Sequence, residues 1–313
     1  MTARQIIIDT DPGQDDAVAI LLALACPDAL EVLGITCVAG NVPLEMTTRN
    51  ALIICELAGK ANVLVHAGCD RPLGRDLVTA EHVHGRSGLD GPNLPAPIMP
   101  LQERHAVDFV IDTLRERPAK SVTLVPIGPL TNIATAFKSA PDIIGKVQEI
   151  VLMGGAHFAQ GNVTPVAEFN IHVDPQAAEI VFGAGVPLVM VPLDVTHKAL
   201  VTRARNAALR AIGTPVGRAV ADLTGFFERY NPERYGEDGA PLHDPCTIAW
   251  LLKPELFKGR RVNVMIETQS ELTMGMTVTD WWGNTGRPPN ATFIHDIDTE
   301  GFFDLLIERL ARL

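Results

Sequence analysis

The chain is predicted to fold as an open, mostly parallel α/β sheet with helices on both faces and a few antiparallel strands toward the C-terminus. Three observations predict it. Short aliphatic runs alternate with helical patterns up to Pro192, the βαβα order that builds a parallel sheet with right-handed crossovers. The first run, Ile6-Ile7-Ile8, is apolar without alternation, as in a strand buried on both faces. Several runs end in polar or Gly-Pro turns, at the edge where open α/β sheets place their ligands.

In order along the chain, the first strand stops at Asp9, Pro12-Gly13 turns it, and the apolar pattern from Ala17 reads as a core-facing helix. A strand over Leu30 to Val38 ends at Ala39-Gly40-Asn41 and leads into a helix from Pro43 to Leu57. Val63 to Val65 is a third strand, and Gly68 to Arg104, rich in Gly, Pro, Asp and His, is a loop long enough to be functional. A helix over Ala106 to Arg115, a strand over Ser121 to Ile127, a helix over Leu130 to Lys138 and a strand over Glu149 to Met153 follow. Gly154-Gly155 opens a second long loop. Asp174-Pro175 suits the cap and first position of a helix to Phe182. The strand Val186 to Pro192 ends in Leu193-Asp194-Val195-Thr196-His197. Helices over Thr202 to Ala211 and Val216 to Arg229, a polar loop to Leu242 and a helix opened by His243-Asp244-Pro245 come next. Arg260 to Ile266, Glu271 to Trp282 and Ala291 to His295 alternate like antiparallel or edge strands before a last helix, Gly301 to Leu310. With no internal repeat, residues 1–313 are expected to form one domain.

An apolar content of 47% supports a large core, and a net charge of −11 without a basic run argues against nucleic-acid or anionic-membrane partners. Small neutral molecules such as nucleosides or sugars are compatible with it. Five cysteines without a CxxC pair read as buried, reduced thiols. The start runs straight into the first strand, leaving no room for a signal peptide, and Ala17 to Cys26 is too short to span a bilayer. A cytoplasmic protein is expected.

Four carboxylates, Asp9, Asp11, Asp15 and Asp16, crowd the first turn. Each alone suits a cap, a first helical turn or a tight turn. Together they repel and raise one another's pKa unless a cation sits among them, and an all-oxygen cluster suits Ca²⁺ or Mg²⁺. Asp11 and Asp16 are then candidate metal ligands, Asp15 is a general base for a water held there, and Asp9 is structural. In His243-Asp244-Pro245, Asp244 fits a plain N-cap; the functional reading makes it a further metal carboxylate and His243 a proton donor. Asn41, Asn162, Glu168 and Asn170 suit the hydroxyls of a sugar, and equally suit turns. His82 and His84 lack the further ligands a zinc site needs, so they read as residues of a pocket mouth.

The run Asp9-Thr10-Asp11-Pro12-Gly13-Gln14-Asp15-Asp16 resembles the DxDPGxDD signature of the inosine-uridine preferring nucleoside hydrolases. The resemblance continues in order at His84 to Gly91, Pro126 to Asn132, Met153-Gly154-Gly155, Glu168-Phe169-Asn170 and Leu242 to Pro245. It implies a Rossmann-like fold and hydrolysis of ribonucleosides, purine or pyrimidine, to base and ribose. It implies a Ca²⁺ held by Asp11, Asp16, Asp244 and the backbone carbonyl of Ile127, with Asp15 as base. Ribose contacts would fall on Asn41, Asn162, Glu168 and Asn170 with Met153 beneath the sugar, and His84 and His243 near the base, His243 assisting its departure. Some members carry Thr at the position of Ile127, a change that spares a main-chain ligand. The loop before His243 sets base preference, which makes Phe227, Tyr230, Asn231 and Tyr235 candidate pocket residues. A homo-oligomer, tetramer or dimer, is implied as well.

Two other functions use the same residues. A haloacid-dehalogenase-like phosphatase would explain Asp9-Thr10-Asp11, but has Gly13 where Thr or Val is expected and leaves Asp15, Asp16 and His243-Asp244 idle. A non-catalytic Ca²⁺-dependent ribose- or nucleoside-binding protein would need no general base.

Overall fold

The computed structural model describes residues 3–227 and 239–313. In chain order the elements are β1 (Arg4–Thr10), α1 (Gln14–Leu24), β2 (Leu30–Cys37), α2 (Leu44–Leu57), β3 (Val65–Ala67), α3 (Glu81–His84), α4 (Ala106–Glu116), β4 (Val122–Pro126), α5 (Thr131–Ser139) and β5 (Val147–Met153). They continue through α6 (Phe169–Val173), α7 (Pro175–Gly183), β6 (Leu188–Val191), α8 (Leu193–Thr196), β7 (Leu200–Val201), α9 (Arg203–Ala211) and α10 (Pro215–Phe227). The last are β8 (Ala240–Pro241), α11 (Pro245–Leu252), β9 (Phe257–Ile266), β10 (Thr277–Asp280), β11 (Ala291–Ile297) and α12 (Thr299–Leu310).

One nine-stranded sheet has the order β10-β9-β11-β6-β5-β4-β1-β2-β3. From β11 to β3 all neighbours are parallel, and β9 pairs antiparallel with β11 and β10. This is the predicted class: a parallel sheet with antiparallel strands at its C-terminal edge.

Successive β1 side chains point to opposite faces. Ile6 and Ile8 enter a core with residues of α1, α2, α11 and α12, whereas Ile7 enters a second core with residues of α4, α5 and α7. That is why the triple isoleucine is apolar throughout. Burying each such side chain is worth roughly 1.5–3 kcal/mol.

The alternation carries on past the apolar run, because β1 extends through Asp9 and Thr10 instead of stopping at Asp9. Neighbouring strand ends supply the backbone partners: Ile127 N–H donates to Asp9 O (2.8 Å) and Val38 N–H to Thr10 O (3.0 Å). Asp9 lies on the Ile7 face, where its Oδ1 accepts from Thr36 Oγ1 (2.6 Å) and Asn132 Nδ2 (2.8 Å). Asn132 also donates to Cys37 O (3.0 Å) and accepts from Cys69 N–H (2.8 Å). One amide at the start of α5 thus ties β1, β2 and the chain beyond β3. Burial pushes the Asp9 carboxyl up to about 7.

Other boundaries differ from the sequence expectation for local reasons. Helix α1 starts at Gln14, three residues before the apolar pattern, because Asp16 Oδ2 accepts the Gly13 N–H (3.0 Å) and caps the turn. Both long loops contain a short helix, α3 in the first and α6 in the second. The expected strand over Glu271 to Trp282 is a turn followed by β10 alone. The small β7–β8 ladder has too few residues to carry a periodic signal. The predicted helix to Arg229 is described as far as Phe227. All five cysteines are free, and among the described residues no helix is long and apolar enough to cross a membrane.

Strand β1 sits at the switch point: from it β2 and β3 build outward on one side and β4, β5 and β6 on the other. The crevice at its carboxyl end is therefore fixed by topology. Substituting Asn132→Leu strips partners from Asp9, Cys37 and Cys69 at once and is expected to cost about 2–5 kcal/mol, measured as a shift in denaturant midpoint.

Candidate active site

Leaving the sheet, β1 passes Asp11 and the tight Pro12-Gly13 turn, and α1 brings Asp15 and Asp16 back beside it. Asp16 is held on every side: Oδ1 accepts from Thr10 Oγ1 (2.6 Å) and Asp11 N–H (3.3 Å), and Oδ2 from Gly13 N–H (3.0 Å) and Asn41 Nδ2 (3.1 Å). Asn41, after β2, also donates its N–H to Asp11 Oδ2 (2.6 Å) and its amide to Asp11 O (3.1 Å). It therefore bridges two aspartates. The other carboxylate oxygen, Asp11 Oδ1, is buried without a hydrogen-bond partner.

Asp244 comes from the far end of the sequence. It occupies the N-cap position of α11, with Pro245 at the first helical position, yet its backbone is helical and its carboxylate makes no capping hydrogen bond. The plain capping reading of Asp244 is overturned. Its carboxylate joins those of Asp15 and Asp16, with ligand-capable oxygens of all three within 4.8 Å of one another. Burial, reinforced by the neighbouring charges, raises the pKa of Asp11, Asp15 and Asp244, and burial raises that of Asp16. Four buried acids side by side resist ionisation together.

Above the cluster opens a cavity of about 180 Å³, lined by Asp15, Asn41, His82, His84, Ile127, Met153, Asn162, Glu168, Asn170, His243 and Asp244, with Ala80, Val83, Val163, Phe169 and Pro241. Sequence reasoning named most of the polar ones from separate stretches. Asp11 and Asp16 lie off this lining.

The second loop carries its polar residues by spending part of them on its own backbone. Glu168 caps α6, accepting from Asn170 N–H (2.9 Å) and Ile171 N–H (3.3 Å), and also accepts from Gly155 N–H (3.0 Å). Burial pushes its carboxyl up to about 7. Asn162 Oδ1 accepts from Phe169 N–H (2.8 Å), and Asn170 Nδ2 donates to Ile127 O (2.9 Å) and Met153 O (3.3 Å). The turn role and the lining role coexist in each. Asp194 holds the loop's base, accepting N–H groups of His157 (2.9 Å), Phe158 (2.6 Å) and Ala159 (3.1 Å).

His84 is set by Gln14. The Gln14 amide nitrogen donates to His84 O (2.9 Å) and Asp90 O (3.2 Å), so its oxygen must accept from His84 Nδ1 (2.6 Å). The imidazole is then protonated on Nδ1, and burial, aided by His82, lowers its pKa to about 3, leaving it neutral at pH 7. His243 Nδ1 lies 2.7 Å from Thr196 Oγ1. Gln14, Thr196 and Asp194 escaped sequence reasoning, although each sits inside a stretch it had singled out. Tyr230, Asn231 and Tyr235 lie outside the described residues, and of Phe227 only the backbone, the end of α10, is described.

The family profile described as "Inosine-uridine preferring nucleoside hydrolase" matches residues 6–304. The chain belongs to this family. As a nucleoside hydrolase it is 53% identical over 309 residues to the pyrimidine-specific ribonucleoside hydrolase RihA of Salmonella typhimurium, covering 98% of each chain. It is 53% identical, over 99% of each chain, to an uncharacterised Schizosaccharomyces pombe protein. Among solved structures, the purine-preferring ribonucleoside hydrolase of Gardnerella vaginalis superposes with a TM-score of 0.91 at 34% identity, over 98% of both chains.

In this nucleoside hydrolase Gly40 is a spacer for Asp11: a Cβ there would lie 2.1 Å from Asp11 Oδ2 and 2.9 Å from Pro129 Cδ, and one on Gly128 would lie 2.4 Å from Asp11 Oδ1. Gly40→Ala is expected to keep the fold, since both contacts are with side chains, but to push Asp11 out of place and lower nucleoside hydrolysis by about 10²-fold or more. Circular dichroism and base release from uridine check it.

Proposed function

We propose that this nucleoside hydrolase cleaves the N-glycosidic bond of pyrimidine ribonucleosides with a divalent cation, Ca²⁺, at the acidic cluster. The observation that carries the reading is one cavity lined together by the Asp15 and Asp244 carboxylates, the amides of Asn41, Asn162 and Asn170, and the imidazoles of His84 and His243. Pyrimidine preference rests on the specificity in the name of the 53% identical RihA, against the purine preference named for the relative at 34%.

The residues fit a hard cation. The donors are all oxygens, three carboxylates converge, and Asp11 Oδ1 is buried without a partner. Asp11, Asp16, Asp244 and the Ile127 carbonyl are the proposed ligands, with Asp15 close enough to share the site. When bound, the cation would neutralise the clustered charge and make a nearby water more acidic.

The protein's own groups do the rest. Asp15, made more basic by burial, takes a proton from the water that attacks C1′. The C1′–N bond breaks with its electron pair going to the base, and His243 supplies the proton that the departing nitrogen needs. Positive charge grows on the sugar in between, so Glu168 and the amides around the ribose hydroxyls bind it more tightly as it flattens. Neutral His84, its ring fixed through Nδ1 by Gln14, forms part of the wall that the substrate would meet. Attack and departure on opposite faces give inversion at C1′.

Residues 1–313 act as one domain, in the cytoplasm where five thiols stay reduced. A dimer or tetramer of this chain would cover exposed Met265, Leu272, Val278 and Trp282 at the antiparallel edge.

Asp15→Asn is expected to lower kcat for uridine by about 10²–10⁴-fold while uridine still binds, because the amide keeps the shape and loses the base. Steady-state base release and calorimetric titration with uridine measure the two. Loss of binding with kcat unchanged would remove Asp15 from the chemistry. The same assay on cytidine and inosine should give a kcat/KM for pyrimidines at least about tenfold higher than for inosine, a difference of about 1.4 kcal/mol; equal values would remove the pyrimidine preference.

A further inference from the structure

The stretch Leu193-Asp194-Val195-Thr196-His197 at the end of β6 has no part in the reaction as derived so far. We propose that Thr196 is the positioning residue for His243: its hydroxyl holds Nδ1 and so turns the Nε2 edge of the ring toward the departing base. The inference rests on the reading of His243 as the proton donor.

The geometry is specific. Thr196 is fully buried and does not line the cavity, whereas His243 does. The 2.7 Å contact between Thr196 Oγ1 and His243 Nδ1 therefore lies behind the ring as seen from the substrate side. An imidazole fixed at one nitrogen from behind keeps the opposite edge forward. Ring rotation about the Cβ–Cγ bond would break the contact, so the hydroxyl selects one of two ring orientations.

The backbone explains how residues 47 positions apart meet. Leu200 pairs with Pro241 and Val201 with Ala240 in the β7–β8 ladder, and Leu242 N–H continues the register with a 2.9 Å bond to Ala199 O. Extending that antiparallel register by one step sets His243 beside the chain that has just left α8. Thr196 itself is fixed there, its N–H donating to Pro192 O (3.1 Å) and its carbonyl accepting from Ala199 N–H (3.0 Å). The two-stranded ladder, too short to stabilise much on its own, serves to bring the hydroxyl and the ring together.

A proton donor matters only when the leaving group needs the proton, and this separates a positioning role from a structural one. Uridine leaves as a poorly stabilised base anion, whereas the nitrophenolate of a nitrophenyl riboside leaves without protonation. The test is steady-state kinetics on both substrates with Thr196→Val, which keeps the shape and removes the hydroxyl, with Thr196→Ser, which restores it, and with His243→Ala as reference. Thr196→Val is expected to lower kcat for uridine at least tenfold with KM changed less than about threefold, and to leave the nitrophenyl riboside within about twofold of wild type. Thr196→Ser is expected to recover most of the uridine rate. Equal losses on both substrates, or no recovery with Ser, would overturn the inference in favour of packing alone. An unchanged uridine kcat in Thr196→Val while His243→Ala is impaired overturns it as well. If His243→Ala keeps full uridine activity, the donor reading fails first and the inference falls with it. Should Thr196→Val unfold, Thr196→Ala measured on the same pair of substrates decides by the same ratio.

Discussion

Mutual repulsion among buried carboxylates at the carboxyl end of β1 is the constraint on which the site depends. Asp9, Asp11, Asp15, Asp16 and Asp244 are all buried, and burial raises the pKa of every one. Such a cluster costs free energy that ordinary packing has no reason to accept. Asp9 Oδ1 is held by a hydroxyl and an amide while its Oδ2 is buried without a partner, and Asp16 is held by four donors. Asp11 Oδ1 has no partner, and the carboxylates of Asp15, Asp16 and Asp244 converge beside it, a concentration of charge that the proposed cation would neutralise.

The sheet delivers this arrangement through its strand order. Because β1 lies between β2 and β4 and the chain winds away from it in both directions, the ends of four neighbouring strands, β2, β1, β4 and β5, open into one crevice. Asn41 follows β2, Ile127 follows β4 and Met153 closes β5. Groups that fix the site also fix the fold: Asn132 bonds Asp9 and Cys37 together, and Asn170 reaches the carbonyl just past β4 and the last carbonyl of β5. Precision at the reacting atoms and cohesion of the central strands are thus one network.

Much of this was legible in the residue pattern, and the reasons are physical. The triple isoleucine announces a two-faced core because alternate side chains must both find apolar layers, and they do. Four aspartates within eight positions announce a cation because no capping scheme uses them all. What could not be read are contacts made by register and shape. Asp244 could be read in sequence as an N-cap or as a metal carboxylate, and the helical backbone at that position, with no capping bond, is what rules out the cap. Gln14 and Thr196 carry no sequence signal, since an amide or hydroxyl beside an imidazole is set by tertiary contact. Helices α3 and α6 are too short to show a period, and β7 pairs with β8 over two residues each.

Whether the acidic cluster holds a divalent cation for hydrolysis, as proposed, is tested most directly by reconstitution. Protein stripped with a chelator and exchanged into metal-free buffer would be titrated with Ca²⁺ while base release from uridine and the thermal midpoint are followed together. The account predicts negligible hydrolysis in the stripped protein, recovery that saturates with added Ca²⁺, and a rise in midpoint over the same concentrations as bound cation favours the folded state. Full hydrolysis by protein shown by elemental analysis to be free of metal would contradict it.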